Sequence, residues 1–408
     1  MRFKQYLEEQ KNTHMEHIED NILNAGVDGA RQSINFLRGM RDMLASGSSS
    51  TVDATVKWDG APAVFAGIDP SDGKFFVAKK GIFNKNPKIY KTKADVDADT
   101  QGDLNTKLNL ALTHLPDLGI KGVVQGDFLY AKSDLQKVDI DGEPHITFHP
   151  NTIVYAIPAK SDLAKTISRS EIGVVFHTTY RGDSLETMSA SFGEEIASNL
   201  KTVKNVWAVD ANYRDVSGKA TLTQAETDKI TKILSDAGKI FNKIDKATLN
   251  GISDNDELLI RVKTFMNTKV RAGEKIKNTT RLTNELVDYL LAHYSKEEDK
   301  RKTPRGKSGV QAKRDEVMAY FRKTDKTKIK KIFDLMNLIV EAKLIIIKKM
   351  DQASTINTLL KTKDGYEVTG EEGFVAIDKY EKNAVKLVDR LNFSKANFSP
   401  EYIKGWQK

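Results

Sequence analysis

The chain is 408 residues long, 39% hydrophobic and 29% charged, enough for two or three domains with sizeable cores. It contains no cysteine, which excludes disulfides, thiolate zinc sites and cysteine nucleophiles and suits a reducing cytoplasm. The net charge is +8, yet residues 301–350 alone hold 15 Lys and Arg against 5 Asp and Glu, so the excess is local and points to a polyanionic partner.

The N-terminal stretch from Met1 to Glu9 is charged and lacks the apolar run of a secretory leader. Residues 1–46 read as helical, with Ile18, Ile22 and Leu23, then Ile34, Leu37, Met40 and Leu44, near helical spacing. Gly26 and Gly29 divide this run into two helices, and Gly47-Ser48-Ser49-Ser50 reads as a flexible connector. Residues 51–57 then alternate as a strand. Two apolar runs, 62–68 and 74–80, flank Asp69-Pro70-Ser71-Asp72-Gly73 and predict a hairpin. Leu104, Leu108, Leu112 and Leu115 predict a helix over 103–115, followed by strands at 122–130, 146–148, 152–157 and 173–178. The span 196–364 is helical and Lys-rich, with helices predicted at 221–243, 255–267, 281–294, 309–323 and 326–350 and an exposed basic loop at 302–309. Its most apolar run, 335–347, is interrupted by Glu341 and Lys343 and is too short to cross a bilayer. Residues 365–408 return to strands near 372–377 and 384–388. The expected chain is therefore α+β. An N-terminal helical segment (1–50) precedes a β-rich domain in two parts (51–195 and 365–408), split by a helical insertion (196–364).

Chemistry-bearing strings sit on both sides of that insertion. They are Lys57-Trp58-Asp59-Gly60, Phe75-Phe76-Val77-Ala78-Lys79-Lys80-Gly81, Val123-Val124-Gln125-Gly126-Asp127-Phe128, Thr152-Ile153-Val154-Tyr155-Ala156-Ile157, Glu372-Gly373-Phe374-Val375, and Lys386 within Ala384-Val385-Lys386-Leu387-Val388. The first resembles motif I, with the second fitting the hairpin that motif I opens, and the other four in order resemble motifs III, IIIa, IV and V of the covalent nucleotidyltransferases, the superfamily of ATP-dependent DNA and RNA ligases and mRNA capping enzymes.

The resemblance implies a ligase-type adenylyltransferase domain, with antiparallel sheets around a nucleotide pocket. It makes Lys57 the nucleophile that attacks the α-phosphate of ATP and carries AMP as a lysyl phosphoramidate. Attack requires an unprotonated amine, which a neighbouring cation such as Lys386 and partial burial favour. By the same resemblance Asp59 positions the amine. Lys79 stands where an arginine is usual, with Lys80 as a substitute. Asp127 binds a ribose hydroxyl or a metal-bound water, and Tyr155 stacks on the base. Glu372 binds the divalent metal, Mg²⁺ or Mn²⁺, and Lys386 contacts the α-phosphate. The second cation common in motif V is missing, leaving Arg390 or Lys382 to replace it. His177, a lone histidine at a strand end, reads as structural.

Only 18 residues follow Arg390, too few for the OB-fold that DNA ligases and capping enzymes carry there. The resemblance therefore implies an RNA ligase of bacteriophage type, acting in the cytoplasm and sealing 5′-phosphate to 3′-hydroxyl ends. Arg301, Lys302, Arg305 and Lys307 would hold the RNA. A DNA ligase, a nucleotidyltransferase for another acceptor and a non-catalytic nucleic-acid-binding protein on a ligase-like fold remain open.

Overall fold

The computed structural model describes residues 15–46, 50–84, 86–215, 218–354, 356–381 and 383–407. The N-terminal stretch through Glu9, the core of the 47–50 connector and Lys382 lie outside the described residues. In chain order the structure opens with helix α1 (Asn21–Ser46) and strands β1 (Val52–Lys57), β2 (Ala63–Ile68), β3 (Phe75–Ala78) and β4 (Ile89–Tyr90). Helices α2 (Lys93–Asp99) and α3 (Gly102–His114) lead into β5 (Val123–Ala131), β6 (Gln136–Ile140), β7 (Glu143–Phe148) and β8 (Ile153–Pro158). Helix α4 (Asp162–Arg169) precedes β9 (Ile172–Arg181), β10 (Ser189–Phe192) and β11 (Val206–Asp210). A run of helices follows: α5 (Gln224–Phe241), α6 (Lys246–Ser253), α7 (Asp256–Arg271), α8 (Thr279–Asp299), α9 (Pro304–Lys323) and α10 (Lys326–Met350). The last elements are β12 (Asn357–Lys361), β13 (Tyr366–Val368), β14 (Gly373–Asp378), β15 (Ala384–Leu387) and α11 (Arg390–Phe398).

The fold is α+β. Its strands form three sheets: β1-β14-β15, then β10-β9-β5-β2-β3-β4 with β11 parallel to β9, and β13-β12-β8-β7-β6. The other strand pairings are antiparallel. Two pairings, β1 with β14 and β8 with β12, sew the two ends of the chain together across the helices.

The first sheet shows how strand alternation builds the site. Val52, Ala54, Phe374, Ala376, Val385 and Leu387 share one core with α1 and the helices α5–α10. Successive side chains on a strand face opposite ways. Thr55, Lys57, Val375 and Lys386 therefore project from the other face, and the register agrees by setting Thr55 opposite Val375 and Val375 opposite Lys386. The N-terminal helix and the insertion are thus one helical body, packed on the back of the strands that carry both lysines.

Several boundaries differ from expectation, for local physical reasons. The helix run begins at Gln224 and ends at Met350, because β11 and β12, inside the 196–364 span, are claimed by the sheets. Residues 304–309 are not a loop: Pro304 occupies the first helical turn and the Thr303 hydroxyl accepts a bond from the Gly306 amide, which starts α9 there. Helix α1 breaks at Ala25–Gly26, where Gly26 has φ 52°, whereas Gly29 lies inside the second helical part. Among the described residues no helix is long and apolar enough to cross a membrane.

Candidate active site

Lys57 is the last residue of β1 and lies opposite Gly373, the first residue of β14. Gly373 has φ 149°, and a Cβ there would sit 2.5 Å from the Leu387 carbonyl oxygen, so glycine alone lets β14 and β15 close up at this point. Glu372, one residue earlier, is thereby delivered to Lys57, and the Lys57 Nζ contacts Glu372 Oε2. The Glu372 side chain is 8% exposed and that of Lys57 29%, so the pair has a buried acid and a reachable amine. Burial pushes the Glu372 carboxyl up to about 7; Lys57 opposes the rise, while the charges of Asp59 and Asp127 add to it.

Lys386 completes the row. Its amine is held below the usual lysine range, first by burial and then by the charge of Lys57, with Glu372 pulling the other way. Residues 16–18 cover the outer edge of β15 at this position: the Lys386 amide donates to the Glu16 carbonyl at 2.9 Å, and the Ile18 amide donates to the Lys386 carbonyl at 3.1 Å.

Of the two lysines after β3, Lys80 is the one whose charge acts on the site, at both Asp127 and Lys386. Lys79 instead reaches Asp99, 3.1 Å away, with its ammonium over the Tyr90 ring.

Asp59 does not hold the Lys57 amine. It is 3% exposed, and its carboxylate accepts from the amides of Thr152 and Ile153, each at 2.7 Å, and from Asn151 Nδ2 at 2.6 Å. It pins the turn between β7 and β8 beneath the site, and Glu372 takes the amine. Tyr155 departs further from expectation. Its ring is 0% exposed and stacks with Trp58 at 5.0 Å and Phe148 at 5.2 Å, while its hydroxyl accepts from the Asp59 amide at 2.7 Å. A ring packed into the core in this way has no face left for a base. Arg390 likewise serves elsewhere, clasping Asp20 at 3.0 Å, Glu19 at 3.7 Å and the Asn267 amide oxygen. It is not the second motif V cation.

Asp127 leaves the middle of β5 beside the turn that follows Lys57. A Cβ on Gly60 would lie 2.5 Å from the Asp127 Cβ, so the glycine of the Lys57 string permits this approach. Burial pushes the Asp127 carboxyl up to about 7, against the pull of Lys57 and with the push of Asp59. His177 stands beside it, with Nε2 3.7 Å from Asp127 Oδ2. Nothing in the local sequence signals this pairing, because it depends on a register shift between β5 and β9. Beside Glu372 a cavity of about 340 Å³ opens, walled by Asp59, Ile153, Lys348, Asp351, Glu371 and Asn397.

Arg301 and Lys302 sit on the turn between α8 and α9, with Arg305 and Lys307 in the first turns of α9, on the surface of the helical body. Arg301 lies 3.7 Å from Glu297. Among the described residues no group of three or more Asp, Glu or His side chains forms a metal-binding cluster. No curated protein and no solved structure matches the chain. A family model does match, over residues 12–402, and the chain accordingly belongs to DUF6267, a family of unknown function.

Proposed function

We propose that the chain is a covalent nucleotidyltransferase that forms a lysyl-nucleotide on Lys57 and passes the nucleotide to an RNA end. The observation that carries this reading is the meeting of Lys57, Glu372 and Lys386 on one sheet face, from strands at opposite ends of the chain, with Lys80 adjoining. A buried carboxylate in contact with the Lys57 amine, with the charges of Lys386 and Lys80 acting close by, suits a nucleophile and two cations for the phosphates of a nucleoside triphosphate.

The Lys57 ammonium sheds its proton to solvent through Glu372 Oε2, which touches it. The freed Nζ attacks the α-phosphorus; a P–N bond forms, the bond from that phosphorus to the bridging oxygen breaks, and pyrophosphate leaves. Lys386 and Lys80 balance the charge that builds on the α-phosphate oxygens. A 5′-phosphate oxygen of the RNA then displaces Lys57, so the P–N bond breaks and the amine recovers a proton. A 3′-hydroxyl oxygen finally attacks that 5′-phosphorus and gives its proton to solvent; a P–O bond forms to the 3′ oxygen, the bond from that phosphorus to the oxygen bridging it to AMP breaks, and AMP departs.

A hard divalent cation fits the donors present. Glu372 is a buried carboxyl in contact with Lys57, and Mg²⁺ or Mn²⁺ needs only one or two carboxylates when substrate phosphates supply the rest. Glu372 would hold the ion, which when bound neutralises the phosphates of the nucleotide.

The deciding experiment is incubation with α-labelled ATP or GTP and Mg²⁺, followed by a denaturing gel and intact mass. A covalent nucleotide on the wild type, absent from Lys57→Ala, supports the reading. Label that persists in Lys57→Ala moves the nucleophile elsewhere, and no label on either protein removes the covalent chemistry.

A further inference from the structure

A second cavity, of about 360 Å³, lies where α3, the turn joining β7 to β8, and residues 403–407 meet. It shares no lining residue with the cavity beside Glu372, and its volume falls within the roughly 300–1,000 Å³ of small-ligand sites. Residues 403–407 are fastened there by backbone bonds. The Ile403 amide donates to the Lys361 carbonyl at 2.8 Å, and the Gly405 amide donates to the Asn151 carbonyl at 2.6 Å. Gly405 is pressed so close to the turn that a Cβ would lie 2.0 Å from the His149 carbonyl oxygen. The next residue, Trp406, lines the cavity and is still 65% exposed, so its ring stands at the rim. That ring packs on no other aromatic ring among the described residues, whereas Trp58 and Trp207 belong to the aromatic cluster of Tyr130, Phe148 and Tyr155.

The same cavity carries cations that no carboxylate neutralises. Lys361 lines it and makes no ion pair among the described residues. Lys404 is 6% exposed, and its ammonium donates to the Ala396 carbonyl rather than to an acid. The bond from Ile403 to Lys361 sets Lys404 beside that lysine. Across β12 and β13, Lys361 stands opposite Tyr366, so these two side chains share one face of the sheet. The acids on the wall are already engaged: Asp103 holds Lys107 at 2.9 Å, and Asp134 accepts the Ala131 amide at 3.0 Å. An apolar ligand would leave the lysines unused, and a bare phosphate would leave the indole unused. A nucleotide uses both, because its base stacks on an aromatic ring and its phosphate takes the ammonium groups.

We propose that this cavity is a second binding site, which holds one unit of a single-stranded polynucleotide with its base on Trp406 and its phosphate at Lys361 and Lys404. The site needs neither a nucleoside triphosphate nor a metal and goes beyond the covalent reading of Lys57. An exposed ring at the rim suits a strand, whose neighbouring units continue into solvent, whereas a pocket for a free nucleotide encloses most of its surface. The walls of the cavity also support the turn after Lys57. Lys107 Nζ donates to the Ala61 carbonyl at 3.3 Å, and His149 and Pro150 lead into Asn151, Thr152 and Ile153, which hold the Asp59 carboxylate. A strand anchored here is held against the framework of the proposed nucleophile. Every base has a π face, so the site fixes the position of the strand and not its sequence.

Titration of a short oligouridylate, without ATP or metal, into wild type, Trp406→Ala, Trp406→Phe and Lys361→Gln tests the proposal. Anisotropy of a tagged strand gives affinity, tryptophan fluorescence with the untagged strand gives stacking, and thermal melts check that the variants are folded. The strand should quench the wild type, and Trp406→Phe should lose the quenching while keeping most of the affinity. Trp406→Ala should bind about tenfold more weakly, the scale of one stacked base. Lys361→Gln should flatten the salt dependence by about 0.7 unit, the share of one phosphate on a single strand. Absence of quenching at saturation, or equal affinity of wild type and Trp406→Ala, overturns the proposal. Uridine monophosphate binding as tightly as the strand also overturns it, by making this a site for a free nucleotide. Lys57 labelling is followed in parallel. Label without strand binding through Trp406 removes this site and leaves the covalent reading, and strand binding through Trp406 without label does the reverse.

Discussion

At the scale of single residues, the acids around the cavity are the most sensitive probes. Glu371 Oε2 is buried without a hydrogen-bond partner among the described residues, and burial pushes the carboxyl up to about 7 from its ordinary 4.5. A carboxyl raised in this way holds its proton more tightly folded than unfolded. The stability it contributes is complete below about pH 4.5 and is lost as pH rises through about 7. Glu371→Gln, which cannot ionise, should therefore match the wild type near pH 4.5 and exceed it at pH 8 by of order 1–2 kcal/mol, read from urea melts in metal-free buffer. Equal stability at both pH values would mean that water reaches the carboxyl. Gly373→Ala is a second probe. Its φ and the nearby Leu387 carbonyl oxygen leave no place for a methyl group, so β14 should shift and Lys57 labelling should fall by more than tenfold. Normal labelling of that variant would show that Glu372 reaches the amine without the tight β14–β15 approach.

At the scale of elements, the helical body is held to the site by buried charge. Lys343 Nζ on α10 lies 2.8 Å from both Glu19 oxygens, the two side chains are 2% and 5% exposed, and Arg390 at the start of α11 joins from the strand side. Breaking a buried pair leaves one uncompensated charge. Lys343→Met alone should cost about 3–5 kcal/mol, and Glu19→Met added to it should recover most of that. An additive double mutant would show that the two charges do not interact. This clasp is invisible in the sequence, since Glu19, Lys343 and Arg390 are far apart and no local pattern pairs them. The strands of the motifs are legible because alternation around Lys57 and Lys386 and the glycines after Lys57 and Glu372 are local signals. The burial of Tyr155 is not: its string identifies a strand but not which of its faces is covered, and Trp58 and Phe148 close over the ring. The 302–309 stretch misleads for a related reason, as its Gly and Pro read as breakers where Thr303 and Pro304 start a helix.

At the scale of the whole molecule, the basic excess lies on the helical body and the proposed chemistry on the sheets. Reversing Arg301, Lys302, Arg305 and Lys307 together should weaken RNA binding and flatten its salt dependence by about one unit for each phosphate left without a cation. Lys57 labelling, which needs only nucleotide and metal, should be unchanged. RNA affinity and salt slope equal to wild type would assign these cations to a solvated surface.

The pairing of β1 with β14 also sets an order of events in time. On the ribosome, Lys57 emerges long before its neighbour, and the intervening stretch of roughly 300 residues takes some tens of seconds at about 5–20 residues per second. Until then β1 is an open strand edge, exposed to aggregation and to chaperones, and Glu372 and Lys386 have not yet been made. The enzyme we propose stays inert on every chain cut short before β14. The helical body is complete before the site it supports, and the site closes only when the last strands arrive.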